Sequence, residues 1–163
     1  MTDQDLDFPA PKLEPVMDLA VEVGAPVEVG AAAQGVRRLI PILGGTVSAK
    51  GAVGWVTGRI LAGGADFQRI VGGEVAHLDA RYAIALDDGS RLFVQNTALR
   101  VASAAVTARL MRGEVVPPEP GYFRCQPCFE TAAPAWRWME RFQFVGVGRR
   151  EPARVCMRFF VVL

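Results

Sequence analysis

Three side chains able to transfer protons or bind anions lie close together in the last third of the sequence: Tyr122, Arg124 and Glu130. Alternation along a β-strand places Tyr122 and Arg124 on the same face. Pointing into a barrel, that face would line a cavity suited to an anionic or phenolic ligand. We predict these three residues to be catalytic, with Arg124 as the anion anchor and Tyr122 or Glu130 as the proton carrier. The alternative interpretation is that Arg124 and Glu130 form structural ion pairs with Asp79 or Asp66 at a barrel rim.

A second group of polar residues on the predicted strands is assigned to ligand binding. Asn96 stands out in it, because asparagine is disfavoured inside strands and needs hydrogen-bond partners when it is buried. The predicted ligand-binding residues are Arg38, Asp66, Arg81, Tyr82 and Asn96.

Other motifs in the chain carry weaker chemical signals. Cys125 and Cys128 have the spacing of a metal or redox pair, but tetrahedral zinc needs two further ligands, and Cys156 and His77 are isolated in the sequence. His77 is the only imidazole, and no serine lies in a G-x-S-x-G elbow, so a serine triad cannot be built. The sequence therefore predicts neither a metal site nor a cofactor.

The elements that must position these residues are mostly short β-prone runs closed by Gly, Pro or Asp-Gly. Asp88-Gly89 predicts a tight hairpin, because its turn needs the positive φ that Gly tolerates. Ser103 followed by Ala104–Arg112 and Gly113 predicts one short α-helix, and a further helical turn is expected near Ala135–Glu140. Strands are predicted near Met17–Val23, Val36–Ile42, Ala52–Leu61, Phe67–Val71, Val75–Leu86, Arg91–Val101, Tyr122–Glu130, Phe142–Val147 and Arg154–Val162.

Many strands, short connections and a single helix favour a mostly β fold, an antiparallel barrel rather than a βαβ protein. Glycines recurring beside the strands suit the bends of a strongly curled sheet. The chain is the usual size of one domain, at 163 residues. We predict a flexible arm over residues 1–14 and one barrel domain over residues 15–163.

Composition narrows the partners that can be expected. A net charge of +1 shows no electrostatic footprint for nucleic acid or an anionic membrane. Three cysteines, an acidic N-terminus and the lack of an apolar run of membrane-spanning length predict a cytoplasmic protein. Apolar residues make up 51% of the chain, which favours a homo-oligomer that buries part of its outer face. The expected partners are a small molecule and further copies of the chain, with no nucleic acid and no membrane.

A series of short motifs in order also resembles the domain-of-unknown-function 3237 family. The series runs from Gly35–Ile42 through Gly63–Asp66, Asp79–Tyr82 and Asp87–Gly89 to Tyr122–Arg124, Phe129–Thr131 and Phe144–Arg149. The resemblance implies a small bacterial or fungal β-barrel similar to the lipocalin and allene oxide cyclase type, with no reaction established for the family generally. The family usually has Thr at the position of Cys125, which weakens a role for the cysteine pair. It often has Leu-Asn at Met139-Glu140, so this chain lacks a polar side chain that a site in the family might use.

Two functional hypotheses remain open at this stage, with a purely structural oligomer as a third. The leading hypothesis is a barrel that binds a small, partly apolar organic molecule and catalyses a cofactor-free isomerisation, cyclisation or hydration in its lumen. The competing hypothesis is a non-catalytic carrier or an accessory protein of a metabolic pathway. Both need a cavity, so the strand faces that point inward are the decisive feature.

Overall fold

Ten antiparallel strands form one sheet in the computed structural model, which describes residues 8–116 and 121–163. Eight of them close a barrel in the order β1-β10-β9-β8-β7-β6-β5-β3, and β3 pairs back with β1. The two extra strands, β2 and β4, pair with β3. The strands are β1 (Leu13–Val23), β2 (Val27–Ala32), β3 (Gly35–Gly51), β4 (Gly54–Ile60), β5 (Gly64–Val71), β6 (Val75–Leu86), β7 (Arg91–Val101), β8 (Tyr122–Glu130), β9 (Phe144–Arg150) and β10 (Arg154–Val162).

The helical elements are short and lie at the ends of the barrel wall. The α-helix α1 spans Ala104–Met111 and begins as predicted, with the Ser103 hydroxyl accepting a hydrogen bond from the backbone of Val106. A 3₁₀ helix spans Pro134–Arg141, where a helical turn was predicted. The prediction of a mostly β barrel with one short α-helix is confirmed.

Closure depends on a bend in the longest strand, β3. Its first half pairs with β5 and its second half with β1 and β4. Gly45 lies between the two halves with φ of 136°, and a Cβ there would come within 2.1 Å of the backbone oxygen of Ala20. Only glycine fits this position, since both the left-handed φ and the close backbone approach exclude a side chain.

The hairpin at Asp88-Gly89 has the predicted form. Gly89 has φ of 87°, the Asp88 carboxylate accepts from the backbone of Ser90 at 2.8 Å, and β6 pairs with β7 along its whole length. Because this pairing fixes the register of two neighbouring strands, it also fixes which of their residues face the lumen.

Some boundaries differ from the predictions. β1 begins at Leu13, where the chain already pairs with Val162, so the wall starts two residues before residue 15. Residues 1–7 of the predicted arm lie outside the described residues. Strand β2 and the second half of β3 were not predicted, because at least half of each segment is Ala, Gly or Ser, which give a weak strand signal. Of the residues described, none belongs to a helix long and apolar enough to cross a membrane.

The lumen has two unlike halves. At one end it is packed solid by apolar side chains, with Phe159 and Met17 fully buried and Trp136 of the 3₁₀ helix 1% exposed. Phe129 packs edge-on against Phe144 with ring centroids 5.0 Å apart. We call this end the filled half; it comprises Met17, Leu19, Val47, Ala49, Ile84, Leu92, Val94, Phe129, Trp136, Met139, Phe144, Phe159 and Val161.

Candidate functional site

The other end of the lumen, the polar half, contains a cavity. It offers about 50 Å³ to the centres of water-sized molecules, and about 680 Å³ of unfilled space when its opening to solvent is included. This is room for several waters or a small ligand. The apolar lining residues are Val21, Val23, Ile40, Ile42, Leu78, Ala80, Ala98, Leu110, Phe123, Val155 and Met157, and the polar ones are Arg38, Asp66, Gln68, Tyr82, Asn96, Arg100 and Arg150.

Strand alternation brings these polar groups to one place. On β7 every second residue faces the lumen, so that Asn96, Ala98 and Arg100 continue the inward row that Leu92 and Val94 begin in the filled half. Asn96 pairs across with Ala80 of β6, which in turn pairs with Asp66 of β5. Gln68 pairs with Arg38 of β3. Five strands therefore contribute polar side chains to one cavity, the fifth being β9 through Arg150.

The carboxyl group of Asp66 is the only acidic group that lines this cavity among the described residues. Its Oδ2 accepts from Gln68 Nε2 at 2.6 Å, and its Oδ1 accepts from the backbone N–H of Asp79 at 3.0 Å. Burial raises the pKa of Asp66 above its ordinary value, and the two hydrogen bonds and the nearby Arg100 only partly oppose that rise. A carboxyl group with a raised pKa is suited to hold and release a proton.

Three arginines face Asp66 across the cavity. Arg38 is 5% exposed and makes a single long ion pair, 3.5 Å, with the half-exposed Glu28. Arg100 is 8% exposed and donates no side-chain hydrogen bond to the described residues. Burial, together with repulsion from Arg38 and Arg150, lowers the pKa of Arg100 to about 10. The guanidinium of Arg150 donates to the backbone oxygens of Glu151 and Arg154 at the rim.

Four buried polar atoms in this cavity lack a hydrogen-bond partner among the described residues: Arg38 Nε, Gln68 Oε1, Tyr82 Oη and Asn96 Oδ1. Burying such a group without a partner costs about 1–3 kcal/mol each. Burial also raises the pKa of the Tyr82 phenol far above its ordinary value, so the group remains a neutral hydroxyl. Because all four atoms lie at one cavity, their arrangement points to a bound ligand or ordered water that completes their hydrogen bonds.

Of the five residues predicted to bind ligand, the structure places four in this cavity: Arg38, Asp66, Tyr82 and Asn96. Arg81 lies on the opposite face of β6 from Tyr82, is half-exposed and forms a 3.0 Å ion pair with Asp79. Whether the four bind a ligand stays a prediction, but their convergence is a property of the fold.

The structure places the three residues predicted to be catalytic on the outer face of β8, so the expectation that they line the lumen is wrong. Tyr122 is 51% exposed, and the guanidinium of Arg124 lies 5.1 Å from its ring. Glu130 is also exposed. Strand β8 pairs with β7 in unbroken register, so Pro127 introduces no bulge that would turn Glu130 inward.

The inward positions of β8 are instead apolar. Phe123, Cys125 and Phe129 point into the barrel, and burying apolar area outweighs a preference to bury a Tyr-Arg pair. Phe123 packs against Gly148 of β9, where a Cβ would approach its ring to 2.8 Å. Counting apolar residues on the two faces of β8 would have identified the outer face from the sequence.

Sequence reasoning missed Gln68, Arg100 and Arg150. The first two could have been found by alternation, since Gln68 shares a face with Asp66, and Arg100 shares one with Asn96. Arg150 follows Gly148 on the inward face of β9, a strand with too few side chains for its facing to be assigned from sequence.

The cysteine pair does not converge. Cys125 is buried and Cys128 is exposed, because residues three apart on a strand face opposite sides. Burial raises the pKa of the Cys125 thiol to about 11, so the reactive thiolate is scarce near neutral pH. The two sulfurs therefore cannot act as one chelating or redox pair.

The fold and the cavity define a closed antiparallel β-barrel with one filled and one polar half. The chain belongs to the family described as "Protein of unknown function (DUF3237)", whose model matches residues 11–162. The resemblance seen in the sequence is thereby confirmed.

Similar proteins share the fold along nearly the whole chain. A UPF0311 protein from Rhodopseudomonas palustris is 38% identical over 148 residues, 91% of this chain and 94% of the relative. The crystal structure of a conserved protein of unknown function from that species has a TM-score of 0.87 at 36% identity, covering 96% of this chain and 100% of the other. A beta-barrel like protein from Acinetobacter baumannii has a TM-score of 0.81 at 33% identity, covering 96% and 99%.

A more distant structural neighbour is described as an enzyme from Penicillium herquei. Its TM-score is 0.69 over 96% of this chain and 98% of its own, at 15% sequence identity. At that identity the likeness concerns the fold alone.

Proposed function

We propose that the polar half of the barrel binds a small, partly apolar organic molecule and catalyses a cofactor-free isomerisation, cyclisation or hydration there. The observation that carries this proposal is the set of four buried polar atoms at one cavity that have no hydrogen-bond partner among the described residues. Such atoms destabilise the empty barrel and gain partners when a ligand enters. The meeting of these polar side chains at one cavity is thus better explained by a role in ligand binding than by a role in stabilising the fold.

The chemistry of the proposed site centres on Asp66. In its protonated form the carboxyl group would give a proton to one carbon or oxygen of the ligand. The resulting carboxylate would take a proton back from a second ligand atom, from an added water or from an attacking hydroxyl. These alternatives correspond to isomerisation, hydration and cyclisation. Each returns Asp66 to its starting state and is redox-neutral overall, so it needs no oxidant or reductant.

The neighbouring side chains support this proton transfer. The guanidinium of Arg100 lies near enough to Asp66 to lower its pKa, and would stabilise negative charge that develops on the ligand. Tyr82 Oη and Asn96 Oδ1 would hold a polar ligand atom in one orientation. The apolar wall, including Leu78 and Phe123, would exclude bulk water from the reacting atoms.

A carrier without catalysis is the second candidate, favoured by one observation. Both oxygens of Asp66 already accept hydrogen bonds from the protein, at 2.6 and 3.0 Å. A carboxyl group held in this way can serve as a fixed acceptor that shapes the cavity and never exchanges its proton with the ligand.

Incorporation of solvent deuterium separates the two candidates, because all three reactions place a solvent proton in the product. The protein is incubated in D₂O with a panel of β,γ-unsaturated ketones, β,γ-unsaturated carboxylates and phenolic alkenes, and products are followed by NMR. We expect deuterium in at least one product. We also expect Asp66→Asn to lower its rate by about 100-fold or more while ligand binding persists.

The matched control is Arg124→Gln, an exterior change that should leave the rate unaltered. If the wild-type protein and the Arg124→Gln control bind panel compounds but put no deuterium into any of them, the carrier is favoured. A rate that Asp66→Asn leaves intact would contradict the role of this carboxyl group.

A further inference from the structure

This inference rests on the proposed small-molecule site. We infer that the ligand of that site is an organic monoanion, a carboxylate or phenolate on a small apolar body. Its charged oxygen lies among Arg38, Arg100 and Arg150. The proposed reaction does not itself require a charged ligand. The inference therefore specifies the chemical class that the site selects.

The charge distribution of the cavity is the first observation behind it. Three guanidinium groups, those of Arg38, Arg100 and Arg150, face one carboxyl group in the cavity, Asp66, and one at its edge, Glu28. With both carboxyl groups ionised, one positive charge remains uncompensated. An isolated buried charge is costly, and a bound anion is the usual way to satisfy several convergent arginines.

The hydrogen-bonding state of the arginines is the second observation. Arg100 donates no side-chain hydrogen bond to the described residues, and Arg38 Nε is buried without a partner there. Among the described residues, Arg38 forms one side-chain ion pair, the 3.5 Å contact with Glu28. Structural arginines fill their donors with carboxylates or carbonyls; Arg149 and Glu151, on the rim, do so at 2.7 Å. Within the described part of the chain, Arg38 and Arg100 therefore keep donors free for a ligand, while Arg150, whose Nη1 donates to two rim carbonyls, contributes mainly its charge.

The surroundings of the arginines determine what kind of anion fits. Most of the other side chains that line the cavity are apolar, among them Val23, Leu78, Leu110 and Phe123, so the charged oxygen must be attached to a largely apolar body. Asp66 shares the cavity, and once it has given up its proton its carboxylate repels a second negative charge on the ligand. A monoanionic organic acid satisfies both conditions, whereas inorganic phosphate lacks the apolar body and a phosphate monoester carries a second negative charge near neutral pH.

A binding comparison between a charged probe and its neutral analogue tests this inference. Benzoate and benzamide have nearly the same shape and differ in the charge that the arginines would contact. We expect calorimetry on the full chain to give benzoate an affinity at least about tenfold above that of benzamide, as a charge-assisted hydrogen bond provides. Arg100→Met should abolish that preference, and the exterior control Arg124→Met should preserve it. 4-Nitrophenolate in place of benzoate distinguishes a phenolate from a carboxylate.

The remaining outcomes separate this inference from the proposed function. Equal affinities for benzoate and benzamide, both reduced by blocking the cavity with Ala98→Phe, would overturn the anion class and leave the lumen site in place. Tighter binding of inorganic phosphate than of benzoate would overturn the organic monoanion. Failure of the wild-type protein to bind any probe, or binding that ignores Ala98→Phe, would contradict the lumen site itself. Ala80→Leu is the second blocking variant, and circular dichroism verifies that each variant is folded.

Discussion

The filled half and the polar half are built from the same strands, yet their interiors are opposite in character. Along β7 the inward row changes from Leu92 and Val94 to Asn96 and Arg100 within a few residues. On β9 it changes from Phe144 to Arg150. One end of the barrel buries apolar area, while at the other end four polar atoms have no hydrogen-bond partner within the described part of the chain.

This difference separates stability from binding within one lumen. In the filled half even the polar atom of the largest side chain has a partner, since Trp136 Nε1 donates to Asp88 Oδ2 at 2.9 Å. In the polar half Tyr82 Oη, equally buried, has none among the described residues. We infer that the filled half stabilises the closed wall firmly enough for the polar half to keep groups arranged for a ligand.

The largest expected change in stability comes from a substitution in the filled half. Phe159→Ala should lower the free energy of unfolding by about 3–5 kcal/mol, because it removes a fully buried ring and leaves a cavity among close-packed neighbours. Urea unfolding followed by circular dichroism measures the change. Phe93→Ala, on the outer face, should cost about 1 kcal/mol or less. Similar losses for both variants would show that the filled half is not the main source of stability.

The next effect has the opposite sign and lies in the polar half. Arg100→Met should raise the free energy of unfolding by about 1–3 kcal/mol, since an apolar side chain of similar length replaces a buried charge that donates no side-chain hydrogen bond to the described residues. The same urea titration measures it. A loss of stability would mean that Arg100 supports the wall, and the two halves would then not divide stability from binding.

A pH titration sharpens the contrast through Asp66. Burial raises the pKa of Asp66, so the native protein holds this proton over a pH range in which the unfolded chain has lost it. Stability contributed by the protonated group is therefore lost as pH rises through that range. We expect Asp66→Asn to gain stability relative to the wild type between acidic and neutral pH. A stability difference that is independent of pH would contradict the raised pKa.

The smallest expected effect is that of Tyr82→Phe. Its hydroxyl has no hydrogen-bond partner among the described residues, so removing it should raise the free energy of unfolding by about 1 kcal/mol, the low end of the cost of burying such a group. Thermal unfolding of the two proteins side by side measures this. A loss of about 1–2 kcal/mol would show that the hydroxyl is satisfied in the ligand-free barrel, for instance by a tightly held water.

Much of the barrel was predictable because local signals and the final fold agree. The strands Val75–Leu86 and Arg91–Val101 have the predicted bounds, since the Asp88-Gly89 turn fixes their ends. The strand segments that the sequence did not predict are β2 and the second half of β3. Their Ala, Gly and Ser residues have little β-propensity of their own, and pairing with stronger neighbours makes them strands.

The site was harder to predict, because it depends on which face of each strand points inward. Asp66 and Asn96 were identified as unusual polar residues, and the structure brings them into one cavity. Tyr122 and Arg124 form an equally suggestive pair, but the larger apolar set on the other face of β8 turns them outward. Facing is decided by the summed burial of a whole strand, so a local cluster of polar residues does not reveal it.

A single NMR titration tests the division of the lumen most directly, because ¹H–¹⁵N spectra show arginine Nε–H and tryptophan indole groups together. On titration with benzoate we predict that the Nε–H signals of Arg38, Arg100 and Arg150 shift in a saturable way, while the Trp136 indole signal in the filled half stays in place. Shifts confined to the exterior Arg124, or shifts of Trp136 with no change at Arg100, would contradict a ligand site in the polar half.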